Sequence, residues 1–508
     1  MNEENKNTTE EFSILSRIAA SFEDAESEAY HQDLNLLQLI EKMAAKWGKD
    51  IRKYFYVMPT DRQVQEFRRA VYRDVKKEAV YQALLSYRSG LEGVFDIRRE
   101  KENVSDPMQR AVWRVREEGA YWNLYEELAK NLAEAGTESE GMREFLSILQ
   151  GILHSDEYLK AKEQTDGILK EIKGIRFLLT YDRDRISVSL GEVGGAGAYE
   201  EWLERATGGE RMQMKNPFFA EVPVTELERA CLDVLEKKKP EFFKALSKVA
   251  DWDEEYTKPV LRRFEKEILY YLAYATFQRD MEKAGFVFAT PDTTEGKRME
   301  AKGLYDLALA AASLSTGRKV IANEFYFGEG ERFFVLTGPN QGGKTTFARS
   351  LGQLIYFCKM GLDVPAASAS VPFFPGIQTH FSVEESVQTG RGKLMEELVR
   401  LAPMMKDRRN GSFVVINELF TTAANYDAQI MGKRVLKHFN ELGCMGIYVT
   451  HLKELTDACD GVVSLKAMLD EHGIQTFEIR RGEAEDIASA ANQMNKYRLN
   501  YEQLKERL

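Results

Sequence analysis

One octapeptide constrains this chain more than any other stretch. Gly338-Pro339-Asn340-Gln341-Gly342-Gly343-Lys344-Thr345 matches GxxxxGK[ST] in full, with Thr346 after it. It follows the apolar run 333–336 and opens a helical segment at Thr345, so the expected order is strand, tight loop, helix. That unit belongs in a mainly parallel α/β sheet. Glycines leave the backbone N–H groups free to wrap a phosphate where a β-carbon would obstruct. Lys344 brings positive charge to the β/γ oxygens, and Thr345 offers a hydroxyl to Mg²⁺. The helix N-terminus adds its partial positive charge. The alternative is a glycine turn that matches by accident, but strand, loop and helix all in place favour a nucleotide site for ATP and Mg²⁺.

A second signal lies 73 residues beyond Lys344, where the apolar run 413–416 ends in Asn417-Glu418. In P-loop ATPases an acid at the first of these positions holds Mg²⁺, and a following Glu orients the attacking water. Asn417 can accept from a metal-bound water but carries no charge. Glu418 is available as a base. Alone, Ile-Asn-Glu at a strand end more often starts a loop; its place after the phosphate loop favours function.

The remaining pattern organises 508 residues into more than one domain. From 30 to 172 apolar residues recur at helical spacing. Residues 175–190 place β-branched and aromatic residues on both sides of Asp182-Arg183-Asp184, which predicts a hairpin. Helices resume at Thr225, where Thr225 and Glu228 form a capping-box signature. The stripe Leu261, Phe264, Ile268, Tyr271 and Ala275 stops near Gly285. Short apolar runs then alternate with helical segments. The expected architecture is multidomain: an acidic mobile tail (1–28), an α-helical domain with a small β-hairpin (29–285), and an α/β P-loop domain (286–508). In the tail, Phe12, Ile14, Leu15 and Ile18 are expected to make one docking turn.

Net charge is −11, with 70 Lys and Arg against 81 Asp and Glu. This argues against a general basic coat for nucleic acid. Residues 1–28 hold eight acids and two bases, so the other 480 carry only −5. Arg62, Arg68, Arg69, Arg73, Lys76 and Lys77 crowd one helical stretch, and Arg183 and Arg185 sit at the hairpin tip. Either group is a candidate for phosphate contact; the competing reading is a solvated helix face. Cys231, Cys358, Cys444 and Cys459 form no CxxC pair, which fits a reducing compartment. No signal peptide or membrane span is visible, so a cytoplasmic location is expected.

GPNQGGKTT, Asp363-Val-Pro-Ala366 and the strand ending Val449-Thr450-His451 resemble the ATPase domain of the MutS family. The family's signature region is matched by Thr389-Gly390-Arg391-Gly392-Lys393-Leu394-Met395-Glu396-Glu397-Leu398. The similarity is clear over about 286–508 and fainter over 30–285, where the segment resembles the helical core of stand-alone MutS-related proteins and the hairpin a shortened clamp between lever helices. The resemblance implies an ABC-like ATPase in which Gly338, Pro339, Asn340, Gln341, Gly342, Gly343, Lys344, Thr345 and Thr346 bind nucleotide. Thr345 and Asn417 would serve Mg²⁺, Glu418 would be the general base, and His451 would sense the γ-phosphate. Val320 and Ile321 would pack on adenine without an aromatic ring. The family dimerises, so a homodimer is implied in which Gly390, Arg391 and Gly392 reach the partner's ATP. The segment 486–508 resembles terminal dimerisation helices, and no mismatch-reading domain is expected ahead of the core.

Three departures stand out. Asn417 replaces the family's acid, Gly392 replaces a serine, and Asn417-Glu418-Leu-Phe-Thr replaces the usual Asp-Glu-Ile-Gly-Arg-Gly run. Lost charge and a lost hydroxyl imply slower hydrolysis, not lost binding. The expected function is therefore an ATP-dependent DNA-binding clamp of the repair or recombination type that does not read mismatches. The alternative is a nucleotide switch or scaffold with weak or no ATPase activity and a protein partner. A transporter ATPase is a third reading, with no coupling segment in the sequence to support it.

Overall fold

The computed structural model describes residues 11–18, 21–104, 106–182, 185–190, 226–250, 258–293, 298–382, 392–407 and 410–483. Two short strands, β1 (Phe12–Ser13) and β2 (Arg17–Ile18), pair near the N-terminus. Helices α1 (Ala29–Asp33), α2 (Leu36–Ala44), α3 (Arg52–Tyr56) and α4 (Arg62–Lys76) follow. Next come α5 (Glu78–Asn103), α6 (Pro107–Ala135), α7 (Glu140–Leu153) and α8 (Asp156–Gly174), then the hairpin β3 (Phe177–Asp182) and β4 (Arg185–Leu190). After α9 (Glu226–Lys238), α10 (Pro240–Ala250) and α11 (Pro259–Lys283), strands and helices alternate. These are β5 (Met299–Leu304), α12 (Leu307–Thr316), β6 (Asn323–Phe327), β7 (Phe333–Thr337) and α13 (Lys344–Lys359). The order continues with β8 (Ser368–Ser370), β9 (Ile377–Phe381), α14 (Lys393–Lys406), β10 (Phe413–Asn417) and α15 (Asn425–Glu441). It ends in β11 (Met445–Val449), β12 (Val462–Leu469) and β13 (Gln475–Arg481).

The chain divides into two compact units, one of residues 1–12 and 76–263, the other of 13–75 and 264–508. This differs from the boundary expected at 286. Helical periodicity shows which face of a helix is buried, but not which body buries it. Tyr270 and Tyr274 of α11 donate to Met360 O (2.7 Å) and Asp363 O (2.6 Å), so that helix from Phe264 onward belongs with α13. The N-terminal turn is also part of this unit. Ser13 Oγ lies 2.9 and 3.0 Å from the Glu267 carboxylate oxygens, and Tyr271 OH donates to Ile14 O at 2.9 Å. Ile14 and Leu15 are buried there, while 1–10 and 19–20 of the expected tail lie outside the described residues.

The helical unit takes its boundaries from side-chain caps. Asp106, Ser139 and Ser155 accept from the backbone N–H groups of Gln109, Met142 and Tyr158, each cap contributing about 1 kcal/mol. α5 and α6 approach closely at Gly90, where a β-carbon would collide with Leu124. The hairpin forms where the sequence placed it; its tip, 183–184, lies outside the described residues.

The other unit is built on a six-stranded sheet of order β13-β12-β7-β11-β10-β9, parallel except for the β12–β13 pair. FFVLT, FVVIN, MGIYV and IQTHF are buried along their whole lengths, the pattern of parallel strands covered on both faces. The sequence showed three of these strands; β9 was hidden because Gln378, Thr379 and His380 interrupt its apolar run. α13 is buried almost all round, including Lys359, whose ammonium is satisfied by Pro59 O (2.9 Å) and Phe374 O (2.6 Å). A separate three-stranded sheet, β6-β5-β8, is antiparallel.

The basic stretch on α4 is not a phosphate-binding face as a whole. Arg68 and Arg69 are buried: Arg68 Nε donates to Leu15 O at 2.7 Å and Arg69 Nη1 to Thr293 Oγ1 at 2.9 Å. All four cysteines are free thiols. Among the described residues no helix is long and apolar enough to cross a membrane.

Candidate functional site

The site forms at the carboxyl ends of adjacent parallel strands, where open α/β sheets bind ligands. Register pairs Asn417 with Val449 and Val449 with Leu336. The turns after β7, β11 and β10 therefore emerge at one level. They carry the loop 338–343, then Thr450-His451, then Glu418.

The loop needs its glycines. Gly338 has φ +130° and Gly343 φ +86°, and a β-carbon at Gly338 would stand 3.0 Å from Ala467 Cβ. The result is a concave backbone turn that opens directly into α13, with Lys344 as its first residue. Lys344 is 4% exposed, and its Nζ donates to Gly338 O and Pro339 O, both at 2.9 Å. Burial lowers the ammonium pKa, and the Glu418 carboxylate partly offsets this.

Thr345 Oγ1 donates to Asn417 Oδ1 at 3.0 Å, so the two residues expected at the metal are in contact. A hydroxyl and an amide oxygen are hard ligands that suit Mg²⁺, although both are neutral. Among the described residues no cluster of three His, Cys, Asp or Glu forms an alternative metal site. Glu418 Oε1 lies 3.5 Å from His451 Nε2, and its backbone has φ +54°. The His451 interaction, helped by the positive Lys344 and Lys393, holds the Glu418 carboxyl below its ordinary range against the opposing effect of burial.

A cavity of about 330 Å³ lies beside the loop. Asn340, Gln341, Gly342, Gly343, Lys344, Thr345, Thr346 and Glu418 line it. Of the two residues expected at adenine, Ile321 lines the cavity and Val320 does not. Gly390 and Arg391 lie outside the described residues; Gly392 immediately precedes α14.

Sequence reasoning missed several contributors. Phe477 lines the cavity and lies 3.4 Å from the position of a Gly343 β-carbon, so an aromatic ring is present after all. It comes from β13, has φ +61°, and is tied by Asn323 Nδ2, which donates to Phe477 O at 3.2 Å. Gln475 Nε2 donates to Asn340 O at 2.9 Å, fixing the same hairpin to the loop. Asp306, Arg318 and Lys319 also reach the cavity. None belongs to a motif, and only the strand pairing of β12 with β7 brings 467–477 to the loop.

Residues 334–483 match the family model described as MutS domain V. The chain is 23% identical over 349 residues to the DNA mismatch repair protein MutS of Fervidobacterium nodosum, covering 68% of this chain and 40% of that protein. It is 28% identical over 214 residues to the DNA mismatch repair protein MSH6 of Arabidopsis thaliana, 42% of this chain and 16% of the relative. It is 30% identical over 139 residues to the DNA mismatch repair protein msh-2 of Neurospora crassa, 27% and 15% of the two chains. The matched stretches thus span well under half of these relatives' own length. With a phosphate-type loop, a strand-end Asn-Glu pair and His451 meeting at the carboxyl ends of adjacent strands, and with these matches around them, residues 334–483 are similar to domain V of the MutS family.

Proposed function

We propose that this chain binds ATP with Mg²⁺ at the 338–345 loop and hydrolyses it slowly, using the cycle to open and close a dimeric clamp on DNA. The observation that carries the reading is the convergence of Lys344, Thr345 and Glu418 on one cavity, with Asn417 hydrogen-bonded to Thr345 behind it. The loop N–H groups and the start of α13 would bind the β-phosphate. Lys344 Nζ would exchange its two loop carbonyls for phosphate oxygens, a swap favoured by charge. Thr345 and Asn417 would hold Mg²⁺, which when bound neutralises charge across the β/γ oxygens. Glu418 would take a proton from the water that attacks the γ-phosphorus, while His451 Nε2 holds its carboxylate in place. Asn417 contributes no negative charge, which supports slow turnover.

Two further readings belong to the proposal, a second copy of the chain and DNA. Met395, Leu398 and Val399 stand exposed on α14, directly after Gly392, an apolar face suited to a second copy. In such a dimer Gly390, Arg391 and Gly392 would reach the partner's γ-phosphate. DNA enters through the names of the relatives, each a DNA mismatch repair protein.

The test is nucleotide titration and single-turnover hydrolysis with the full chain, Lys344→Ala and Glu418→Gln, followed by gel shifts on duplex, mismatched and branched DNA at low salt. Lys344→Ala should lose most nucleotide affinity, and Glu418→Gln should keep affinity and lose hydrolysis. ATP binding without hydrolysis in the native chain favours the switch or scaffold. No DNA shift with or without ATP removes the clamp.

A further inference from the structure

The turn after β10 contains two left-handed residues that are not glycine. Glu418 has φ +54° and Phe420 φ +65°. Such conformations cost L residues roughly 1–2 kcal/mol each, so the surroundings must hold them. Glu418 N donates to Val449 O at 3.0 Å, an extension of the sheet. Phe420 N donates to Glu397 Oε2 at 3.1 Å, a contact from a different element. Glu397 lies on α14 and is 1% exposed.

Burial raises the carboxyl pKa of Glu397, with the Phe420 N–H the main group opposing it. Its second oxygen, Oε1, has no hydrogen-bond partner among the described residues. A buried carboxyl satisfied through one oxygen is a poor way to stabilise a fold, since Leu or Met would fill the space without desolvating a charge. What the carboxyl does supply is an acceptor at the strained turn. Glu397 is itself fixed through its backbone: His380 Nε2 on β9 lies 3.2 Å from Glu397 O, and a carbonyl only accepts, so that nitrogen carries the proton.

We propose that Glu397 is the positioning residue for Glu418. By accepting from Phe420 N it holds the left-handed turn that aims the base carboxylate toward the nucleotide cavity. This rests on the reading of Glu418 as the base. α14 starts at Lys393, directly after the stretch expected to reach the partner's nucleotide, so any shift of that helix reaches Glu418 through one hydrogen bond.

The experiment compares full-length native chain, Glu397→Gln, Glu397→Leu, Glu397→Asp and Glu418→Gln. Single-turnover ATP hydrolysis, ADP affinity, and amide hydrogen exchange of a peptide spanning 418–423 are measured for each. Glu397→Leu should lower the hydrolysis rate at least tenfold, leave ADP affinity within threefold, and speed exchange at the turn. Glu397→Gln, whose amide oxygen still accepts, should stay within threefold of native in all three. If the leucine chain does not fold, Glu397→Asp replaces it, since its shortened carboxylate no longer reaches Phe420 N, and the same losses are expected. Native hydrolysis in the leucine or aspartate chain beside an inactive Glu418→Gln overturns the positioning role alone. A glutamine chain as impaired as the leucine chain also overturns it. A native chain without hydrolysis, or a Glu418→Gln chain at the native rate, removes the base reading and the proposal with it.

Discussion

Thr345 Oγ1 donates to Asn417 Oδ1 across 3.0 Å, joining the first turn of α13 to the end of β10. A carboxylate at 417 would keep this hydrogen bond and add a full negative charge beside the hydroxyl. Asn417→Asp is therefore expected to tighten Mg²⁺ dependence and raise ATP turnover by about tenfold, one tenfold step being about 1.4 kcal/mol of barrier. Gly392 has open space where its β-carbon would stand and an ordinary extended φ of −65°, so Gly392→Ser should fold normally. The double variant should turn over faster than either single one. Steady-state phosphate release against Mg²⁺ concentration checks both, and a flat response would show that neither residue limits turnover.

Phe477 links two effects of opposite sign. Its φ of +61° is unfavourable for a side chain, so Phe477→Gly should leave stability unchanged or raise it by about 1 kcal/mol. The ring also lines the cavity, so the same substitution should weaken ADP binding by roughly threefold to tenfold, the scale of a modest apolar contact. Thermal melting paired with ADP titration separates the two. Unchanged affinity would exclude the ring from the nucleotide site.

Stability of the helical unit should fall with rising pH around neutrality because of Glu118. This residue is 1% exposed on α6, and burial pushes its carboxyl up to about 7, with Trp122 and Thr165 acting the other way. For an acid with a raised folded pKa the neutral form is favoured on folding. The penalty is absent below the unfolded value near 4.5, grows as pH rises, and is complete above about 7. Glu118→Gln should match the native chain at pH 4.5 and exceed it at pH 8 by up to about 3 kcal/mol, at about 1.4 kcal/mol per pKa unit. Urea unfolding at the two pH values measures the difference. Parallel curves would show that the carboxyl is hydrated.

Gly361 packs against the backbone of α4. It has φ +77°, and a β-carbon there would stand 2.6 Å from Arg68 Cβ and 2.9 Å from Arg69 N. Gly361→Ala combines backbone strain with overpacking against main-chain atoms that cannot give way. A loss of roughly 2–4 kcal/mol is expected. Denaturant unfolding of this variant, with Gly392→Ser as an uncrowded control, tests the assignment of α4 to the unit that carries the candidate site.

By itself the sequence determined the local chemistry. The octapeptide 338–345 and the strand-end pair Asn417-Glu418 could be read because each rests on residue type and short spacing, whereas His451 came only from the resemblance to the MutS family; the register of β7, β11 and β10 brings all three together. The hairpin at 175–190 was legible for the same reason, as its signal is β-branched and aromatic residues on both sides of Asp182-Arg183-Asp184. Tertiary structure alone decided which body each helix joins, as with α4 and α11 from Phe264 onward, because an amphipathic face does not name its partner. It alone placed Phe477 and Gln475 at the loop, since β12 and β13 lie more than a hundred residues beyond it. It also withdrew Arg68 and Arg69 from the surface and gave Glu397 its place behind Glu418. Those facts depend on long-range packing, and the periodicity of a single chain marks a buried face without naming what covers it.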